Sequence, residues 1–183
     1  MGFSYCYNIT TFTQFPSDIL NQAKNIKLVI FDVDGVMTDG KLQVDAQGGI
    51  SKAFHAQDGF GIMQLHKLNI EIAVISGRAD PAAVLRMKEL QIKHVFLGAK
   101  NKLEIYEALL QQLNFTHEQS IFVGDDLPDL EVMQKAALPI ATQNATPYIK
   151  HIAKWITPHC GGEGAVRDVC DLLIASRDER HDS

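Results

Sequence analysis

Residues 26–35 read IKLVIFDVDG, an apolar run that ends in two aspartates one residue apart, Asp32 and Asp34. Aliphatic and aromatic residues without polar alternation are typical of a strand that is buried on both faces, as in parallel sheets covered by helices. In an open α/β sheet, ligands bind outside the carboxyl ends of the strands. The stretch therefore predicts a parallel sheet whose first strand ends in two carboxylates.

Two carboxylates this close together favour binding of a cation. Carboxylate oxygens suit Mg²⁺, and magnesium held by acids at such a site commonly also contacts phosphate. The pattern therefore favours an enzyme that acts on phosphorylated compounds. A calcium loop of the EF-hand type is a poor alternative, because it needs an oxygen ligand and then Gly where this chain has Val36 and Met37.

Composition and charge exclude several other classes of protein. The chain has 183 residues, of which 46% are hydrophobic and 21% charged, as expected for one globular domain with a single core. A formal net charge of -5 disfavours nonspecific nucleic-acid binding. Apolar runs all fall short of the roughly 20 residues that span a bilayer. We therefore predict neither a nucleic-acid partner nor a membrane partner.

The two ends of the chain differ from the middle. Residues 1–25 have no cationic start and no long apolar centre, so we interpret them as an N-terminal extension and not as a signal peptide. Residues 177–183 are charged and are predicted to form a flexible tail, which leaves residues 26–176 as one domain. The cysteines lack paired spacing and predict free thiols in a reducing cytoplasm: Cys6, Cys160 and Cys170.

Strand and helix patterns alternate along the rest of the chain. Two short extended pieces around Ala46-Gln47-Gly48-Gly49 predict a hairpin, residues 41–44 and 50–54, directly after the first strand. Further strands are predicted at 70–75, 93–97, 120–123, 138–141 and 154–156, and helices at 58–68, 81–90, 103–113, 127–136 and 165–175. The predicted fold class is α/β: a Rossmann-like, mostly parallel sheet with helices on both faces and a small β-hairpin insertion.

Each unusual polar cluster follows a predicted strand. After the pair Asp32 and Asp34 come Ser76-Gly77-Arg78, then residues 98–102 ending in Lys102, then Gly124-Asp125-Asp126-Leu127-Pro128-Asp129. Because the carboxyl ends of parallel strands meet at one edge, these clusters should converge. Acids suit Mg²⁺, a hydroxyl beside helix-start N–H groups suits phosphate, and a lysine neutralises phosphate charge. The set supplies the positioning and charge neutralisation that phosphoryl transfer needs.

Taken singly, these residues have ordinary explanations. Ser76-Gly77 is typical of a helix cap, and Lys102 of a surface lysine, with Lys93 and Lys100 left open as alternatives. A phosphorylation-receiver domain also gathers acids, a hydroxyl and a lysine, but its acceptor Asp follows the third strand, where this chain has Gly98-Ala99-Lys100-Asn101. A scaffold with a decayed site is disfavoured, because all the catalytic residue types are present.

The order and spacing of DVDG, SG, the helix-start lysine and GDDLPD resemble the motifs of haloacid dehalogenase-like phosphatases, from about Ile26 to Asp129. The resemblance implies that Asp32 attacks phosphorus to form an aspartyl-phosphate, while Asp34 protonates the leaving oxygen and later activates water. It also implies that Ser76 and Lys102 hold the phosphoryl group. The implied ligands of Mg²⁺ are Asp32, the main-chain carbonyl of Asp34, Asp125 and, through water, Asp129.

Neither position where that family inserts a cap domain is long enough to hold one here. The stretches DVDGVMTDG, HAQDGFGI and GGEGAVRDVCDLL are similar to a capless subgroup, whose substrates are phosphorylated acidic sugars such as 3-deoxy-D-manno-octulosonate (KDO) 8-phosphate. The resemblance implies a cytoplasmic homotetramer, with packed hairpins and sites completed by neighbouring subunits, that supplies lipopolysaccharide sugar. The implied substrate contacts are Asp34, His55, Ala56, Gln57, Asp58, Gly59, Met63, Gly77, Arg78, Arg86 and Lys102.

Three positions depart from the subgroup. Its members tend to have Arg where this chain has Gln57 and Met63, and a basic residue where it has Glu163. These changes remove positive charge that would face a sugar acid, although Arg78 and Arg86 remain to meet a carboxylate. The alternative substrate is therefore another acidic sugar phosphate, such as a nonulosonic acid 9-phosphate. The neighbouring Gly161-Gly162 is expected to dock near the site, again by resemblance.

Overall fold

The structure, a computed structural model, describes residues 15–177. Residues 1–14, which include Cys6 and most of the predicted N-terminal extension, and residues 178–183 of the predicted tail lie outside the described residues. Within the described range, Cys160 and Cys170 are free thiols, as predicted. No helix of this range combines the length and apolarity that crossing a membrane would require.

Six parallel strands form one sheet. The central strand is β1 (Leu28–Phe31), whose last residue pairs with Val74 on one side and Val123 on the other. The remaining strands are β4 (Glu71–Ser76), β5 (His94–Leu97), β6 (Ser120–Gly124), β7 (Leu138–Ala141) and β8 (Trp155–Ile156). Their order across the sheet is β5–β4–β1–β6–β7–β8. This register aligns the carboxyl ends of the strands, so the predicted parallel sheet is confirmed.

The predicted hairpin is also present, as a separate antiparallel pair. It consists of β2 (Gln43–Val44) and β3 (Ile50–Ser51), with Gln43 opposite Ser51. Its strands are shorter than predicted, because few of its residues find a partner and most are exposed. Asp45 closes the turn by accepting hydrogen bonds from the N–H groups of Gln47 and Gly49. The hairpin occupies the position directly after the first strand, and no cap domain is present in the described range.

Helices cover both faces of the sheet, because alternate strand residues point to opposite sides. On one face, Val29 and Phe31 pack with α1 (Ser17–Ala23), α2 (Ala56–Lys67), α3 (Pro81–Glu89) and α7 (Ala165–Ala175). On the other face, Leu28 and Ile30 pack with α4 (Lys102–Leu113), α5 (Leu130–Met133) and α6 (Pro147–Ile152). The fold class predicted from the sequence, with helices on both faces, is confirmed.

Three helical details differ from the predictions. The helix expected at 127–136 is a 3₁₀ turn, Leu127–Asp129, followed by the short α5, because the side chains of Asp126 and Asp129 hold the turn closed. The helices α1 and α6 were not predicted. The first lies within the segment interpreted as an extension, yet its Ile19 and Ala23 are buried in the core.

Candidate active site

The four predicted clusters meet in one pocket of about 300 Å³ at the carboxyl edge of the sheet. The pocket lies where β1, β4 and β6 end and where α4 begins. Convergence of residues so far apart in sequence follows from the parallel strand order. Its lining residues are Asp32, Asp34, Gly40, Ser76, Gly77, Arg78, Lys102, Asp125, Asp126, Pro128 and Asp129.

Three acids in this pocket form a compact oxygen-rich cluster. One carboxylate oxygen from each of Asp32, Asp125 and Asp129 lies within 4.8 Å of the other two. Burial, and then the charge of Asp129, raise the pKa of Asp32 to about 6. Burial, followed by the charges of Asp129 and Asp32, raises the pKa of Asp125 to about 7. Burial and mutual repulsion therefore both disfavour the charged forms of Asp32 and Asp125 in this cluster.

Lys102 is the first residue of α4, and its ammonium group lies between two of these acids. The Nζ atom is 2.9 Å from Asp32 Oδ1 and 2.7 Å from Asp129 Oδ1. Burial opposes the charge of Lys102, but the carboxylates of Asp129 and Asp32 outweigh it and raise its pKa. The alternatives Lys93 and Lys100 are exposed and do not line the pocket. Among the three lysines, the structure therefore brings Lys102 to the acids.

Asp129 also shapes the loop that presents Asp125. Its Oδ2 accepts hydrogen bonds from the main-chain N–H groups of Asp125 and Asp126, at 3.0 and 3.4 Å. Gly124 lies directly beneath this carboxylate, and a Cβ there would overlap it. Asp129 is thus fixed by two N–H donors and Lys102, which leaves Asp125 as the more exposed acid of the cluster.

Asp34 stands apart from the acid cluster and has a partner that the sequence interpretation missed. Lys52, the first residue after β3, donates a hydrogen bond of 2.8 Å from Nζ to Asp34 Oδ2. The same ammonium contacts Asp80, which precedes α3. A lysine at the end of a hairpin has no distinctive sequence pattern, so the sequence did not indicate that Lys52 contacts Asp34.

Ser76 and Arg78 also line the pocket. Ser76 ends β4, is buried, and accepts a hydrogen bond of 3.4 Å from the Arg78 N–H. The Arg78 guanidinium is 3.2 Å from Asp80 Oδ2 and 3.8 Å from Asp34 Oδ2. These two residues therefore offer a hydroxyl and a cation to an anionic ligand.

The GGEG segment (residues 161–164) packs against the DVDG loop, so it lies near the site as expected. The Gly35 carbonyl accepts hydrogen bonds of 3.1 Å from Thr142 Oγ1 and from Asn144 Nδ2. Asn144 Oδ1 in turn accepts the Gly161 N–H at 2.6 Å. A Cβ on Gly161 would overlap the Gly35 carbonyl, so only glycine permits this close approach. Gly35 itself has φ of +86°, which glycine adopts without strain.

The structure does not bring the remaining predicted contacts to the pocket of the same chain. They lie at the start of α2 and beside it: His55, Ala56, Gln57, Asp58, Gly59, Met63 and Arg86. Asp58 is buried, its Oδ1 accepts the Arg167 N–H at 2.9 Å, and burial raises its pKa to about 6. Arg86 pairs with Glu89 and donates to the His55 carbonyl. Their roles in substrate binding stay predictions.

Comparisons with known proteins agree with this geometry. A family model described as haloacid dehalogenase-like hydrolase matches residues 97–167. The 3-deoxy-D-manno-octulosonate 8-phosphate phosphatase of Yersinia pestis is 39% identical over 173 residues, which are 94% of this chain and 92% of that protein.

Solved structures show the same likeness in three dimensions. A crystal structure of the Yersinia pestis phosphatase has a TM-score of 0.87 and 40% identity, covering 90% of this chain and 89% of that one. The corresponding phosphatase of Moraxella catarrhalis, solved in complex with magnesium, phosphate and KDO, has a TM-score of 0.87 and 34% identity. That match covers 92% of this chain and 97% of the other.

Proposed function

The chain belongs to the haloacid dehalogenase-like phosphatases, in the group of the 3-deoxy-D-manno-octulosonate 8-phosphate phosphatases, and on that premise we propose that it hydrolyses KDO 8-phosphate to KDO and phosphate. The main support from the site is that Asp32 and Asp34, a candidate nucleophile and a candidate acid, line one pocket with Lys102 and Ser76. Hydrolysis of a phosphoric monoester through an aspartyl-phosphate uses these groups together.

The pocket residues fit magnesium. Asp32, Asp125 and Asp129 offer hard carboxylate oxygens close together, and Asp32 Oδ1 is buried with no hydrogen-bond partner in residues 15–177 other than the contact with Lys102. In the proposed site, the ligands are Asp32, the main-chain carbonyl of Asp34, Asp125 and, through water, Asp129. Bound magnesium supplies positive charge that binds phosphate oxygens and offsets negative charge in the transition state.

The proposed reaction has two displacement steps at phosphorus. A carboxylate oxygen of Asp32 forms a bond to phosphorus as the bond from phosphorus to the sugar oxygen breaks, and Asp34 gives its proton to that oxygen. Asp34 then takes a proton from a water molecule, whose oxygen attacks the aspartyl-phosphate. This releases phosphate and restores the Asp32 carboxylate. Lys102 and Ser76 hold the phosphoryl oxygens, and Arg78 at the rim faces the sugar acid.

A phosphate-release assay on three compounds tests the substrate. We expect the highest kcat/KM for KDO 8-phosphate, a lower value for a nonulosonic acid 9-phosphate and the lowest for a neutral sugar phosphate. The second compound is included because Gln57, Met63 and Glu163 replace basic residues of the subgroup. Chelation of divalent metal should abolish release, and added Mg²⁺ should restore it. Faster hydrolysis of the neutral sugar phosphate would contradict the sugar-acid assignment.

We also propose that the enzyme is a cytoplasmic homotetramer that supplies lipopolysaccharide sugar. Two features support the assembly: the α2 residues assigned to substrate do not reach their own pocket, and Leu42 and Val44 of the hairpin are exposed hydrophobic residues. Light scattering should give four times the chain mass, and Val44→Lys should lower it, because charge would be buried in the hairpin contact. A monomer at working concentration would contradict the assembly.

A further inference from the structure

Lys52 is a buried lysine whose function the phosphatase motifs do not account for. Its side chain is 1% exposed, and its Nζ atom lies 2.7 Å from Asp34 Oδ1, 2.8 Å from Asp34 Oδ2 and 2.5 Å from Asp80 Oδ2. Burying an ammonium group is costly unless its donors are paired, and these two carboxylates pair them. The lysine is therefore held in one place by two acids from different parts of the chain.

Asp80 is the second carboxylate that binds the Lys52 ammonium group. It is buried at the start of α3 and accepts hydrogen bonds from Arg78 Nε and Nη2, at 3.2 and 3.4 Å. Its hydrogen bond with Lys52, followed by that with Arg78, lowers the pKa of Asp80. Asp80 is thus a fixed anionic anchor, and Lys52 extends from it to Asp34.

Asp34 lines the pocket, whereas its partner Lys52 does not. Lys52 is therefore placed to influence the pocket through Asp34. Lys52 donates its hydrogen bond to Asp34 Oδ2, whereas Oδ1 is an ion-pair contact with no hydrogen-bond partner among residues 15–177, which leaves Oδ1 as the oxygen to carry the proton. Arg78 Nε lies 3.8 Å from Asp34 Oδ2 on the exposed side, so it offers Asp34 a competing partner. Loss of Lys52 would let Asp34 turn toward Arg78.

We propose that Lys52, anchored by Asp80, is a positioning residue that fixes the Asp34 carboxyl group in the orientation from which it protonates the leaving oxygen. The inference rests on the proposed phosphatase function. It gives the hairpin a part in the reaction, because Lys52 directly follows β3.

The basicity of the leaving group separates this role from a purely structural one. Departure of a sugar alkoxide depends strongly on protonation, whereas 4-nitrophenolate leaves readily as an anion. We expect Lys52→Met to lower kcat/KM for KDO 8-phosphate by about 10- to 100-fold, but for 4-nitrophenyl phosphate by less than about 3-fold. The ratio kcat/KM is chosen because it covers only steps up to loss of the leaving group, so slower hydrolysis of the aspartyl-phosphate does not enter.

Two further variants keep the test decisive. Asp80→Asn removes the anchor but leaves Lys52 paired with Asp34. It should therefore also lower kcat/KM more for KDO 8-phosphate than for 4-nitrophenyl phosphate, but by a smaller factor than Lys52→Met. If circular dichroism shows that Lys52→Met is unfolded, the result for Asp80→Asn decides the test. Lys154→Met is the matched control. It loses hydrogen bonds to Gln22 and Ala137, away from the pocket, and should leave the substrate ratio unchanged.

A double-mutant cycle tests whether Lys52 acts through Asp34. In the Asp34→Asn background, Lys52→Met should cause no further change in the ratio between the two substrates, because the group that it positions is already lost. Equal losses on both substrates for Lys52→Met, or no loss, would overturn the inference while leaving the phosphatase function intact. A wild-type protein that hydrolyses neither compound would overturn the phosphatase function itself.

Discussion

Asp32→Asn should reduce the turnover of KDO 8-phosphate by about 10⁴-fold or more, the scale of loss when a nucleophile is deleted. An amide of the same shape keeps the pocket filled but cannot attack phosphorus. Asp32 is 7% exposed at the end of β1, and Lys102 Nζ lies 2.9 Å from its Oδ1, so the carboxylate is fixed where a phosphoryl group would enter. Phosphate release over many turnovers measures the change.

The phosphorylated intermediate provides a second measurement. Acid-quenched wild-type enzyme, mixed with substrate, should show a phosphate adduct on the peptide that contains Asp32, and the variant should show none. Asp39→Asn is a suitable control, because Asp39 is an exposed acid of the same segment that pairs with Lys41 and does not line the pocket. Wild-type turnover by Asp32→Asn would exclude the aspartyl-phosphate mechanism.

Lys102→Met should destabilise the protein and also lower its activity. Breaking a buried ion pair by removing one partner costs about 3–5 kcal/mol, because the remaining charges stay buried without compensation. Here Asp32 and Asp129 would both lose the ammonium, in a cluster where burial and mutual repulsion already raise the pKa of Asp32 to about 6. The proposed role of Lys102 in neutralising phosphoryl charge also predicts that the variant lowers kcat by about 10²- to 10³-fold.

Magnesium should restore part of the lost stability, which urea denaturation can measure with and without the metal. The ion would neutralise the same acids, and a ligand that binds only the folded state stabilises it. Lys100→Met is the matched control, because Lys100 is exposed two residues earlier and does not line the pocket. A Lys102→Met variant as stable as wild type without magnesium would contradict this account of the cluster.

The sequence was sufficient to predict the sheet, the hairpin and the meeting of four clusters. The reason is that parallel strands bring their carboxyl ends to one edge, so residues that follow different strands, such as Asp32, Ser76 and Asp125, were expected to meet there. The choice of Lys102 over Lys93 and Lys100 needed the structure. The prediction of one helix at 127–136 was wrong, because the main-chain N–H groups of Asp125 and Asp126 donate hydrogen bonds to the Asp129 carboxylate and close a tighter turn there.

Lys52 and the α2 residues could not be predicted in the same way. The contact of Lys52 with Asp34 depends on how the hairpin lies over the sheet, which no periodic pattern encodes. For His55, Gln57 and Arg86, the family resemblance suggested contacts to a substrate without giving the chain whose pocket they serve. Their distance from the pocket of their own chain is a property of the tertiary structure alone.

The contacts behind the DVDG loop have a consequence for how the enzyme matures during synthesis. Thr142 and Asn144, which hold the Gly35 carbonyl, follow it by 107 and 109 positions. Chains are made from the N-terminus, and contacts of such sequence separation form late. A nascent chain that carries the complete DVDG stretch therefore lacks the supports of that loop until Gly161 has left the ribosome. The enzyme should acquire its activity only near the end of translation, although Asp32, the proposed nucleophile, is among the first fifth of its residues to be made.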